Sequence, residues 1–281
     1  MRSATASGPS LDRPASLDDV RGLPLAGGTD LVPLLRDGLV EAENLVDVRE
    51  LLPRGVDGDR IGAGTTLTEL ERSESIPDAL REACRLAATP QLRNMGTIGG
   101  NLLQATRCWY WRLDYPCFLH GGERCHAREG EHREHAIVAN EPCASAHPSD
   151  PAAALLALSA TLETDRRQLD LRELYRLPTE DDRRLTTLED GELILQVDFE
   201  RPDASTYLKA MDRQRFSFPL VGVAAARNGD DVRLALSGVA PIPWELRGAD
   251  DVDRATPLPG NAYKVDIARA LVRRALDAVG R

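Results

Sequence analysis

The apolar residues of this chain fall into short blocks separated by glycine, proline and charge. Leu23-Pro24-Leu25-Ala26 is too short an apolar block for a helix and predicts a strand. It runs into Gly27-Gly28-Thr29-Asp30 and then Leu31-Val32-Pro33-Leu34-Leu35, so a glycine turn separates the strand from a helical segment. Asn44 to Val48 and Arg60-Ile61-Gly62-Ala63 predict further strands on either side of a turn at Pro53-Arg54-Gly55. Thr66-Leu67-Thr68-Glu69 is a capping box: the threonine accepts from a first-turn amide and the glutamate reaches back. Between Pro77 and Ala88, Leu80, Ala83, Cys84, Leu86 and Ala87 recur at helical spacing, which turns Cys84 toward a core as a small hydrophobe.

A second glycine pair lies in Thr97-Ile98-Gly99-Gly100-Asn101-Leu102. Periodicity breaks between Cys108 and His147, then resumes in an alanine- and leucine-rich helix from Asp150-Pro151 to about Leu158, followed by strand-like Ala160 to Glu163. Leu193 to Phe199 alternates as a strand, and Arg201-Pro202-Asp203-Ala204 reads as a linker, which places a domain boundary near Pro202. Thr206 to Met211, Leu220 to Ala226 and Val232 to Val239 are further strand or helix candidates, and Asp266 to Val279 is an amphipathic helix.

A length of 281 residues at 42% hydrophobic supports a core and suggests two domains, or one with an appendage. The net charge of -10 argues against a nucleic acid or an anionic membrane as partner, since either would repel the average field. No stretch approaches the roughly 18 apolar residues a membrane helix needs. Met1 to Ser16, rich in Ser, Ala and Pro, is no secretory signal and reads as a frayed lead-in, so a cytoplasmic location is expected unless a partner carries the chain elsewhere. Lys209 and Lys264 are the only lysines, and on its own Lys209 reads as a solvated strand residue.

All five histidines and four of the five cysteines lie between Cys108 and His147. A segment without apolar periodicity needs something else to hold it, and thiolates on metal supply that. The spacing of Cys108, Cys117, Cys125 and Cys143 admits an iron-sulfur cluster, a zinc ion aided by histidine, disulfides, or no metal; the closely spaced cysteine pairs usual for structural zinc are absent.

Glycine pairs let backbone amides converge on an anion, and a following helix start adds a favourable dipole, so a diphosphate is the natural guest of both turns. Neither turn has the spacing of the common nucleotide motifs. Together, however, Leu25-Ala26-Gly27-Gly28-Thr29-Asp30-Leu31 and Gln91-x-Arg93-Asn94-x-x-Thr97-Ile98-Gly99-Gly100-Asn101 resemble the two FAD signatures of the flavoprotein subunits of molybdenum hydroxylases, the family of xanthine dehydrogenase and carbon monoxide dehydrogenase. His147-Pro148-Ser149-Asp150-Pro151, Tyr207-x-Lys209-x-x-x-Arg213, Ser237-Gly238-Val239-Ala240-Pro241 and Asn261-Ala262-Tyr263-Lys264 extend the resemblance to nearly the whole chain.

The resemblance implies FAD contacts at Leu25 to Leu31, Thr97, Gly99, Gly100, Asn101, Ser149, Asp150, Ile194 and Lys209, with Asp30 bonding through its backbone or to a ribose hydroxyl. Read without it, Ser149 or Asp150 is the N-cap of the helix that follows. Arg215 and Ser217 depart from the family pattern. The cysteine-rich insert is similar to that of a subset including the 4-hydroxybenzoyl-CoA reductase beta subunit and bacterial periplasmic aldehyde oxidoreductases. That implies a 4Fe-4S cluster on Cys108, Cys117, Cys125 and Cys143, with the histidines left as surrounding or surface groups.

The implied architecture is α+β. An FAD-binding fold of the vanillyl-alcohol-oxidase (PCMH) type in two subdomains occupies residues 1–201, with the insert at about 106–147, and a small C-terminal α/β domain of the CO dehydrogenase flavoprotein type occupies 203–281. The implied partners are a large molybdopterin-binding subunit and a small 2Fe-2S subunit, with this chain relaying electrons to an acceptor. No acid, base or nucleophile stands out as catalytic. The alternatives are a stand-alone FAD oxidase or dehydrogenase, disfavoured by the short segment after Pro202, and a zinc-binding interaction module, supported only by the histidines.

Overall fold

A computed structural model describes residues 8–213 and 216–281, and among them three sheets form the frame. In the first, Asn44–Asp47 lies between Ser10–Asp12 and Leu23–Leu25, parallel to both. The described part of the expected frayed lead-in is therefore partly a strand: Ser10, Leu11 and Asp12 pair in register with Asn44, Leu45 and Val46. All three are exposed, and hydrogen bonding rather than burial holds them, with the Ser10 hydroxyl and Asp12 carboxylate both bound to Asn44. Residues 1–7 of that lead-in lie outside the described residues.

The second sheet is antiparallel and runs Val56–Asp57, Arg60–Gly62, Ile194–Asp198, Thr161–Thr164, Gln168–Asp170. Ile194–Asp198 joins segments more than a hundred residues apart, which its central position and alternating pattern make possible. The third is an antiparallel meander in the order Trp244–Leu246, Asp231–Ser237, Val221–Asn228, Ala204–Ala210.

Val221–Asn228 shows why this third sheet holds the molecule together. Side chains alternate across a strand. Val221, Val223 and Ala225 pack with Leu234 and Leu236 beneath the C-terminal helix Tyr263–Ala278, through Ala268, Leu271 and Val272. Ala224 and Ala226 face the opposite way, into a core shared with the helices Asp78–Leu86 and Asp150–Ala157. That side is built from small residues, Ala79, Ala83, Ala152 to Ala154, Ala224 and Ala235, so the backbones approach closely. Asp150–Ala157 is buried on every side, and Cys84 is a core hydrophobe as its spacing predicts.

The Cys108–His147 insert is folded mainly as loop with three short helical turns, Trp109–Arg112, Phe118–His120 and His126–Glu129. Its apolar cluster is small, namely Cys125, Ala127, Ala144 and Leu258. Polar clamps do the rest. Arg183 donates to the carbonyls of Phe118 and Gly122, both at 2.6 Å, and buried Lys264 donates to those of Glu134, His135 and Gly238. Burial lowers Lys264 to about 7.

Candidate functional site

The two glycine turns meet. The strand Leu23–Leu25 ends in Gly27-Gly28, and Gly28 adopts φ +68, a left-handed conformation that side chains rarely accept. A Cβ on Gly27 would stand 1.9 Å from the carbonyl oxygen of Met95, just before the second turn. No acceptor among the described residues takes the amides of Gly27, Gly28 or Thr29, so they are free for an anion at the start of Leu31–Arg36. In the second turn the Thr97 hydroxyl caps the helix Ile98–Leu102, and the amides of Ile98 and Gly99 bond back to Thr65 and Ala63.

Along these turns runs a cleft in two chambers. The larger, about 440 Å³, is lined by Leu25 to Leu31, Thr97, Gly99, Gly100 and Ile194 among others. The smaller, about 230 Å³, shares Thr29, Asp30, Gly96, Gly100 and Gln104 with it and continues to Asn101, Asp150, Lys209 and Ser217. Every predicted cofactor residue except Ser149 lines one chamber or the other. Ser149 lies behind, capping Asp150–Ala157 through Ala152 and bonding Asn101 at 2.6 Å, so its N-cap reading holds. A wider groove of about 800 Å³ around Arg172, Trp244 and Arg247 contains none of the predicted residues.

Lys209 corrects its reading as a solvated strand residue. Its side chain is 1% exposed and its ammonium lies 2.7 Å from the Asp150 carboxylate, itself 3% exposed, while also donating to the Leu86 carbonyl at 3.0 Å. Tyr207 donates to the same carboxylate and bonds Ser237 at 2.8 Å. An isolated buried carboxylate would be expensive, and these partners compensate it. Asp30 is likewise engaged: its carboxylate meets Arg107 and Arg112 at 2.9 Å each and accepts the Ala105 amide at 2.7 Å. This ties the first glycine turn to the residues flanking Cys108.

Several lining residues escaped the sequence reading. The loop Leu188 to Leu193 and Arg184 wall the larger chamber, and Arg107, Phe216 and Phe218 line the smaller. Glu192 orders the loop, accepting from Thr164, Arg167 and the Glu189 amide. Its only sequence signal is the Asp190-Gly191 turn. Arg93 of the second signature is buried and pairs with Glu71 at 2.9 Å while donating to Ala87 and Ala88. Arg215 lies outside the described residues.

Cys117, Cys125 and Cys143 are buried, Cys108 partly so, and all five cysteines of the chain are free thiols, which removes the disulfide reading. Cys125 and Cys143 interact directly, and Cys108 and Cys117 lie near enough to Cys125 to sense its charge. The hydrogen bond shared by Cys125 and Cys143 lowers Cys125 to about 6 and raises Cys143, while burial is the main cause that raises Cys108 and Cys117. Backbone amides surround them: Ala144 donates to Cys125 and Ser145 to Cys143, each at 3.4 Å. Among the described residues no group of three or more His, Cys, Asp or Glu side chains is arranged to hold a metal ion, so the zinc reading finds no ligand set. The histidines do not converge: His120 and His126 bond the carbonyls of Trp111 and Pro116, and His132 bonds Ala127 and the Gly260 amide. His135 reaches Cys108, and His147 packs edge-on against Tyr175.

The family described as the FAD binding domain in molybdopterin dehydrogenase matches residues 16–200. The chain is 37% identical over 248 residues to the FAD-binding subunit PaoB of the aldehyde oxidoreductase of Escherichia coli strain K12, covering 80% of this chain and 77% of that subunit. It is 26% identical over 243 residues to the nicotinate dehydrogenase FAD-subunit of Eubacterium barkeri, covering 78% and 68%. In fold it matches a chain of the reconstituted CO dehydrogenase from Oligotropha carboxidovorans, with a TM-score of 0.69, 22% identity and 98% of each chain covered. No helix among the described residues is long and apolar enough to cross a membrane.

Two measurements test this description. Lys209→Met leaves the Asp150 charge buried without its cation, so it should cost about 3–5 kcal/mol in urea unfolding, and adding Asp150→Asn should recover part of that. Burial pushes His147 down to about 3. Below the ordinary histidine value of about 6.5 the unfolded chain then takes up a proton that the folded chain refuses, so stability falls with pH between 6.5 and 3, by about 1.4 kcal/mol per unit from this residue. His147→Phe should flatten that slope by one proton; an unchanged slope would mean the imidazole is hydrated.

Proposed function

Because the chain belongs to the family of FAD-binding subunits of molybdenum hydroxylases, we propose that it holds FAD in the two-chambered cleft and serves as an electron-transfer subunit rather than acting on an organic substrate itself. The observation that carries this reading is the continuity of the cleft from the free amides of Gly27 to Thr29, past Gly100 and Asn101, to the buried Lys209–Asp150 pair. It suits an extended dinucleotide: unpaired amides for the diphosphate in the middle, and a chamber on each side. When bound, the flavin supplies exchange of electrons singly or in pairs. Gly27, Gly28 and Thr29 would hold the diphosphate, Leu25, Ala26, Leu31 and Ile194 would wall one chamber, and Asn101, Asp150 and Lys209 would line the other. Asp30 would serve this site indirectly, by fixing the first turn against Arg107 and Arg112.

The four insert cysteines are assigned as ligands of a 4Fe-4S cluster. The support is their mutual approach, the amide donors around them and the resemblance of the insert. Four thiols on one loop-rich segment are the number and type of ligand that such a cluster takes. Thiols still protonated would release their protons to solvent as their sulfurs bind iron. Residues 1–201 form the flavin-binding unit in this reading, and 203–281 a C-terminal unit closing the smaller chamber through Lys209. The partners would be a molybdopterin-binding large subunit and a 2Fe-2S small subunit, as a cytoplasmic complex unless a partner exports it.

The test is an anaerobic absorption spectrum of the protein, alone and with both partners, with flavin and iron quantified. Flavin and about four irons per chain are expected. Gly28→Val forces a branched side chain into a left-handed turn against Val32 and Leu25 and should abolish flavin uptake. Cys117→Ser should lose iron and keep flavin. Flavin without iron would leave the family reading intact and overturn the ligand assignment.

A further inference from the structure

Among the insert histidines, His135 stands apart. It is 2% exposed, and its Nε2 lies 3.1 Å from the Cys108 sulfur. The residue is held through both its ring and its backbone. Its edge meets Trp109 at 4.6 Å and 87°, its carbonyl accepts from Lys264 at 2.8 Å and from Asn261 at 3.1 Å, and its amide bonds the His132 carbonyl at 3.0 Å. Lys264 thus spends its buried ammonium on carbonyls that include the one belonging to this residue.

The environment also fixes the tautomer. Nδ1 is buried without a hydrogen-bond partner. An N–H there would be an orphaned donor, whereas a proton on Nε2 points at the Cys108 sulfur.

Resting on the assignment of Cys108 as a cluster ligand, we propose that His135 is a positioning residue that donates its Nε2–H to the Cys108 thiolate, withdraws negative charge from that sulfur and thereby raises the reduction potential of the iron-sulfur cluster. Hydrogen bonds to the sulfurs and charge near them set such potentials. Backbone amides approach all four sulfurs, those of Tyr110 and Trp111 in the case of Cys108, and no side-chain substitution removes them. Cys108, the least buried of the four, is the one with a histidine as donor. The sequence can therefore set the potential at this corner by changing one residue.

The experiment is a potentiometric titration of the iron-sulfur signal in the purified complex, with iron, sulfide and flavin quantified in parallel. His135→Phe keeps the aromatic bulk beside Trp109 and removes the donor. The expected result is a full complement of iron with the one-electron reduction equilibrium about tenfold less favourable, a fall of ~59 mV. His135→Gln, which restores an N–H, should move the potential back toward the original. An unchanged potential in an iron-replete His135→Phe protein overturns the proposal. If that variant fails to take up iron, pulsed electron paramagnetic resonance of the unmutated complex with ¹⁵N-labelled histidine decides. Weak coupling to one histidine nitrogen supports a donated hydrogen bond, while coupling of the size of a direct ligand, or none, overturns it. An unmutated complex without iron would remove the cluster assignment itself, an outcome distinct from all of these.

Discussion

A single carboxylate organises this molecule. Asp150 opens a helix that is buried on every side, where an uncompensated charge would be untenable. The helix start favours its negative charge, and Lys209 and Tyr207 complete the compensation from the neighbouring sheet. Those two residues sit on Ala204–Ala210, so the need to neutralise one buried charge binds the helix to the C-terminal sheet. The preceding Ser149 bonds Asn101 in the second glycine turn, and Lys209 also holds the end of Asp78–Leu86 through the Leu86 carbonyl. Helix, sheet and turn therefore meet at one polar joint, and that joint is a wall of the smaller chamber.

Most of the scaffold was legible because its burial is periodic. The helix Asp78–Leu86, the capping box at Thr66 and Glu69 and the strand Ile194–Asp198 lie where the pattern of apolar and polar residues puts them. Ser10–Asp12 was not legible, since a strand exposed along its length has no apolar face to show. Lys209 was misread for a related reason. A charge on a strand looks solvated until its partner is known, and Asp150 is 59 residues away in the chain. The glycine turns were visible as a pair. The loop Leu188 to Leu193 has no motif, and its order comes from Glu192, whose burial depends on Thr164 and Arg167 in another hairpin.

The insert follows a different rule from the rest of the chain. It has little apolar core, and its folds are fastened by carbonyls that accept from cationic side chains of the body: Arg183 at one end, Lys264 at the other. Directional bonds of this kind specify geometry more narrowly than apolar contact. That would suit the proposed holding of four thiols around a cluster, and the Asp30 bridge to Arg107 and Arg112 ties the insert to the first glycine turn.

The contact between Gly27 and Met95 has a consequence for how such chains are compared. The space a side chain on Gly27 would need is already filled by the backbone that leads into Gly99 and Gly100. The two signatures, far apart in sequence, are thus two halves of one surface, and neither can gain an atom at this point unless the other yields. Two short words that are each commonplace become informative when read together, because in space they are a single word.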